Sequence, residues 1–273
     1  MANAWIIPPL PMAAVTAPTS VGAAAYLAND YRGMVWEVGG DLGGPTDGGY
    51  FMSVDVDLGS DRTVDTMLLL GLAGLIAGTQ CYVFAATEAQ GAAFTTNYWR
   101  SPNLLPYASA EALVNGDGMF LWSAPDDGTP PLPARYWRIA WITPARVSIR
   151  ARRIVLGERI VLERNFSFGR AVGVRPFGAT DFSARGVLLR RRAPTLRTTG
   201  LTFASTSRDE IEAKVLPLLE RFNVTEPVAL ITDPAPHPMR TRRTFFGPLI
   251  GDLGAIQRNA AGWQWQANLV SLI

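Results

Sequence analysis

The chain has 273 residues, 48% hydrophobic and 18% charged, with a formal net charge of +2; this allows one large or two ordinary domains with a real core, and excludes global disorder. One cysteine (Cys81) and one histidine (His237) exclude an intramolecular disulfide framework and a His/Cys zinc site within one chain. The 26 glycines and 20 prolines point to many turns, as in a β-rich protein. In chain order, MANAWIIPPLPMAAV (1–15) lacks a basic leading region and its apolar run is cut by prolines, so no targeting segment is expected. GGDLGG (39–44) has no strand–loop–helix context and reads as a flexible loop. YFMSVDVDLGS (50–60) alternates apolar and polar residues as a half-buried strand does. TMLLLGLAGLIAG (66–78) is too short to cross a bilayer and holds three glycines, so it reads as a buried strand and turn, with no membrane insertion. TQCYVFAATE (79–88) and GMFLWSA (118–124) are further strands. APDDG (124–128) reads as a turn. In ARYWRIAWI (134–142), Tyr136, Arg138 and Ala140 fall on one face and Trp137, Ile139 and Trp141 on the other, which predicts a core strand. Such short runs, separated by turn residues, predict an antiparallel sandwich.

The second half opens near Ala151, within TPARVSIRARR (143–153), which lies between the two strand sets. RIVLGERIVLERNFSFG (153–169) supplies one or two strands and GVLLRRRAPTLRTTGLTFAS (186–205) two more. STSRDEIEAKVLPLLERF (205–222) predicts a helix near 206–222. Ser207 and Glu210 fit a capping box, acidic residues suit the positive N-terminus, and Ile211, Val215, Leu218, Leu219 and Phe222 form an apolar stripe. Pro217 is expected to kink or shorten it. EPVALITDP (226–234), RTFFGPLIGDLGAIQRN (243–259) and GWQWQANLVSLI (262–273) are strand material, the last with Gln264, Gln266 and Asn268 facing outward.

Charge is unevenly spread. Residues 1–145 hold 13 acidic and 5 basic residues, 146–200 hold 3 acids against 13 arginines, and 201–273 hold 7 of each. Arginine's planar fork makes bidentate contacts, so this block suits subunit interfaces or nucleic-acid phosphates.

SVDVDLGSDRTVDTMLLLGL, TQCYVFAATE and ARYWRIAWI together resemble the galactose-binding-like, or discoidin-type, jelly roll over about 30–150. That resemblance implies saccharide binding in some members and adds a calcium site as an option, with Asp55, Asp57, Asp61 and Asp65 as oxygen ligands. The residues themselves read as solvated surface carboxylates. LTFASTSRDEIEAKVLPLLERF, PVALITDP, FFGPLIGDLGAIQRN and WQWQANLVSLI resemble the ring-forming barrel of bacteriophage distal tail proteins over 151–273.

The expected architecture is therefore mainly β: a galactose-binding-like β-sandwich over 1–150, then a tail-tube-like β-barrel with one helix over 151–273. The resemblance implies a non-enzymatic structural protein of a phage tail tip, made in the host cytoplasm and carried in the virion tail. Its partners would be further copies in a hexameric ring, the tail tube protein, tail hub or tip proteins, a tape measure protein and a host saccharide. Alternatives are a stand-alone carbohydrate-binding protein and an arginine-rich nucleic-acid-binding protein. Candidate interface residues are Arg190, Arg191 and Arg192, facing Glu210, Glu212 and Glu220. No catalytic residue, cofactor or metal is expected. His237 sits between Pro236 and Pro238 as a loop histidine, and no G-x-S-x-G, Walker A or Rossmann stretch occurs. The sequence leaves open a pair of glycosidase carboxylates.

Overall fold

Alternating strands bounded by glycine turns fold here into stacked antiparallel sheets. The computed structural model describes residues 2–18, 22–39, 45–46, 49–104, 113–114, 116–124, 132–222, 224–259 and 262–273. Most of the GGDLGG and APDDG loops lies outside these. The strands, in order, are β1 (Trp5–Ile7), β2 (Ala14–Thr16), β3 (Trp36–Val38), β4 (Pro45–Thr46), β5 (Gly49–Val64), β6 (Thr66–Leu72) and β7 (Gln80–Ala86). Next come β8 (Trp99–Arg100), β9 (Gly118–Ser123), β10 (Leu132–Thr143), β11 (Ile149–Ala151), β12 (Arg153–Gly157), β13 (Ile160–Val161) and β14 (Ala171–Pro176). The last are β15 (Ala179–Phe182), β16 (Leu188–Arg191), β17 (Thr195–Thr206), β18 (Pro227–Ile231), β19 (Thr244–Pro248), β20 (Ala255–Gln257) and β21 (Trp263–Ser271). One helix, α1, covers 208–222. The chain is mainly β, as its sequence predicts.

Two compact units form. A sandwich unit holds Ile6–Ile160 with Pro234–Arg243; a helix unit holds Met1–Trp5, Val161–Asp233 and Thr244–Ile273. In the sandwich unit one sheet runs β2-β5-β10-β7-β8, with β4 also on β5; the other strands form β12-β6-β9 and β11-β3. β11 and β12, on either side of residue 152, pair with β3 and β6 of this same unit. Strand alternation places Val54, Val56, Val83, Trp137, Ile139 and Trp141 in the core, all 2% exposed or less. Trp122 packs against Trp137 with centroids 5.5 Å apart, and Trp36 against Trp141 at 6.2 Å. Gly74 has φ +90°, and a Cβ there would lie 1.8 Å from the Ser148 carbonyl oxygen, so only glycine fits.

In the helix unit the sheet order is β14-β17-β21-β20, and Phe203 stacks on Trp265 with centroids 4.7 Å apart. The stripe Ile211, Val215, Leu218, Leu219 and Phe222 is buried. The Ser207 hydroxyl accepts the Glu210 amide, so half of the capping box forms. Pro217 does not shorten the helix. The turn Ile211–Val215 widens to a π-helix, with the Leu216 amide donating to the Ile211 carbonyl, and α-helix resumes through Phe222.

Candidate functional site

The outer face of the β5–β10–β7 sheet collects polar and aromatic side chains that alternation turns away from the core. Antiparallel register sets Arg138 opposite Asp55 on one side and opposite Phe84 on the other; Tyr136 lies opposite Asp57 and Ala86. The Arg138 Nε and Nη2 donate to the two Asp55 oxygens at 2.6 and 2.7 Å. A register shift between Ala134 and Tyr136, across from Gly59 at φ +79°, lets Arg135 reach the same face. Its Nε and Nη2 hold Asp57 at 2.8 and 3.1 Å, and its Nη1 holds Glu88 at 2.8 Å. Asp61 accepts the Glu88 amide at 2.9 Å and closes this rim. The Arg135 hydrogen bonds, aided by the Gly59 amide, hold the Asp57 carboxyl below the usual carboxylate range against the opposing effect of burial.

The loop 87–98 builds a wall over this face. Phe94 adopts φ +51°, a left-handed conformation costing roughly 1–2 kcal/mol for a residue with a Cβ. It is 8% exposed, with the Arg138 guanidinium 4.4 Å from its ring centre and Phe84 and Tyr98 both edge-on to it. Gln90 pins the loop by donating to the Asn97 carbonyl and accepting the Thr87 amide. Between this wall and Ala14 and Thr16 of β2 lies a pocket of about 210 Å³ floored by Asp55, Asp57 and Tyr136. Drug-sized ligands occupy roughly 300–1,000 Å³, so this cleft suits a smaller, hydrogen-bonding group.

The sequence reads the four aspartates as solvated surface carboxylates; Asp61 is exposed in that way, but Asp55 and Asp57 are each about a quarter exposed and clamped by arginine, and Asp65 is buried. The four aspartates do not converge as a calcium set. Asp65 is buried and bound to the Thr66 hydroxyl and the Arg159 amide, and among the described residues no cluster of three metal-ligating side chains occurs. ARYWRIAWI is both a core strand and, through Tyr136 and Trp137, part of the cleft lining, with Arg135 and Arg138 holding the two carboxylates of its floor. The signal in sequence was the D-x-D of β5 matched by the R-x-x-R of β10; only their pairing reveals it. His237 is exposed, its Nδ1 accepting the Met239 amide.

The arginine block is not one basic surface. Arg150 and Arg152 pair with Asp117, Arg153 with Asp30 and Arg159 with Asp65 inside the sandwich unit. Arg190, Arg191 and Arg192 are exposed in and just after β16. Glu212 and Glu220 are exposed on α1, Glu212 paired with Arg208. Glu210 is corrected as an interface candidate: it is 7% exposed and accepts from the Glu163 amide and Lys214 within its own unit.

No family model matches the chain, and no curated protein is significantly similar. Among solved structures, similar ones include carbohydrate-binding modules. One is a selenomethionine-labelled mutant of chitosan-binding module 1 of the Paenibacillus sp. IK-5 chitosanase/glucanase, at 13% identity and TM-score 0.40, covering 56% of this chain and 99% of that one. Another is the family 32 module of Clostridium perfringens NanJ in complex with galactose, at 15% identity and TM-score 0.39, covering 57% and 99%. A third is the first family 32 module of a family 31 glycoside hydrolase of Clostridium perfringens, at 9% identity and TM-score 0.36, covering 56% and 96%. At these scores the likeness assigns no ligand, and the comparisons lend no support to a tail protein.

Proposed function

We propose that the protein is a non-catalytic carbohydrate-binding protein, and that the cleft between β2, β5, β10 and the 87–98 loop receives one sugar residue. The supporting observation is the pairing of two arginine-clamped carboxylates with aromatic walls in a single small pocket. Carboxylates held this way keep lone pairs free for ligand hydroxyls, with Arg135 and Arg138 fixing their orientation from behind. Phe94 and Tyr136 offer apolar surface to sugar C–H groups. Asp57, shifted downward by Arg135, does not have the raised pKa that a glycosidase general acid needs.

This reading is preferred to the nucleic-acid alternative, since four arginines of the basic block bind acids of their own unit. The test is a glycan array probed with the full chain, repeated with Asp55→Asn and Tyr136→Ala. Saturable binding to a defined set of saccharides, lost in both variants, supports the reading. Binding that both variants keep places the ligand elsewhere.

A further inference from the structure

The helix unit carries an arm that burial within one chain leaves unexplained. The ladder from Ala171↔Gly200 to Phe182↔Leu188 runs roughly 40 Å at ~3.3 Å per residue. Every residue from Ala171 to Phe182 is exposed, as is every residue from Leu188 to Thr195. Val174, Phe182 and Leu189 are 66%, 66% and 52% exposed. β15 and β16 form a two-stranded sheet by themselves, so each keeps an open edge of backbone N–H and C=O groups among the described residues. A two-stranded hairpin with apolar side chains on both faces is marginal in water and acts as a template for pairing. The same stretch of chain carries Arg175, Arg185, Arg190, Arg191 and Arg192, all exposed, against the single acid Asp181.

We propose that this arm, 168–192, docks onto a second copy of the chain, heterologously, with its arginines on exposed carboxylates of the neighbour's α1 and the loop after it. Arm-to-arm pairing would bring two strongly basic strips together, which repels. Carboxylates for such pairs exist within the chain: α1 and the loop after it expose Asp209, Glu220 and Glu226, with Arg208 and Arg221 exposed among them and Arg208 already paired with Glu212. Heterologous contact repeats, giving a closed ring or an open filament rather than a simple dimer. A bilayer is the weaker occupant, because hydrocarbon cannot satisfy open strand edges and the apolar residues run along the arm rather than only at its tip.

The experiment is sedimentation velocity with light scattering on the full chain across protein concentration, at low and high salt. The wild type is expected to associate beyond a dimer, more weakly at high salt. Arg190→Glu/Arg191→Glu/Arg192→Glu and Leu188→Asp/Leu189→Asp should each weaken association roughly tenfold or more. Circular dichroism and melting should be unchanged, because these side chains are exposed. Adding Asp209→Arg, Glu220→Arg and Glu226→Arg to the arginine variant should restore association. A wild type that stays monomeric at its highest soluble concentration overturns the proposal. So does arginine reversal that strengthens association, which means arm-to-arm contact, or charge exchange that restores nothing. Flotation of a monomeric wild type with phosphatidylserine vesicles, lost in the leucine variant, would assign the arm to a lipid surface instead.

Discussion

Replacing Asp55 with asparagine separates binding from folding more cleanly than any other change in the cleft. Asparagine keeps the shape but removes the charge facing Arg138, whose two hydrogen bonds are 2.6 and 2.7 Å long. The pair is 23% and 26% exposed on its two sides. A solvent-screened ion pair of this kind contributes about 0.2–1 kcal/mol to stability, which moves the melting temperature by at most ~2–4 °C in a chain of this size. A hydrogen bond from a ligand hydroxyl to a charged acceptor is worth about 1.5–3 kcal/mol, or roughly 10- to 150-fold in Kd. The expected result is therefore a near-normal melt with a binding loss of at least about tenfold. Differential scanning calorimetry and isothermal titration with the saccharide found on the array measure the two quantities on one sample. Unchanged affinity with unchanged melting would refute the cleft as the site. A large fall in melting temperature would show that Asp55 is structural, contrary to the screening argument.

Trp137→Ala should cost about 3–5 kcal/mol, because its ring is fully buried against Trp122; urea unfolding measures it, and a wild-type midpoint would mean that the ring is not core. Because folded Asp57 ionises below its unfolded value of about 3.9, the stability it adds is complete above that value and is lost as pH falls through the lower, folded one. The wild type should thus lose its advantage over Asp57→Asn on acidification, and parallel pH–melting curves for the two would count against the ion pair. A fragment ending at residue 150 should unfold without cooperativity or far below one ending at residue 162, since it lacks β12 with the fully buried Ile154, Val155 and Leu156; equal melts by circular dichroism would contradict the sheet order β12-β6-β9.

The sequence by itself determined the local order of this protein. Period-two alternation marked β5, β10 and β21 and gave their buried faces correctly, because an extended chain turns successive side chains to opposite sides whatever it packs against. The Ser207 cap and the stripe from Ile211 to Phe222 likewise marked α1, since both act within a few turns. Pro217 does not shorten the helix as one reading of it expects: the turn before it widens to a π-turn and α-helix continues through Phe222. Only the tertiary structure assembles the cleft. Asp55 and Arg138 lie far apart in sequence, and the register of β5 against β10 alone makes them partners. The same holds for the arginine block, which sequence shows as one run of charge. Folding gives Arg150, Arg152, Arg153 and Arg159 to acids of the sandwich unit and leaves Arg190, Arg191 and Arg192 on an exposed arm. Charge partners are fixed by distances across strands, and a linear sequence carries those distances only through the fold.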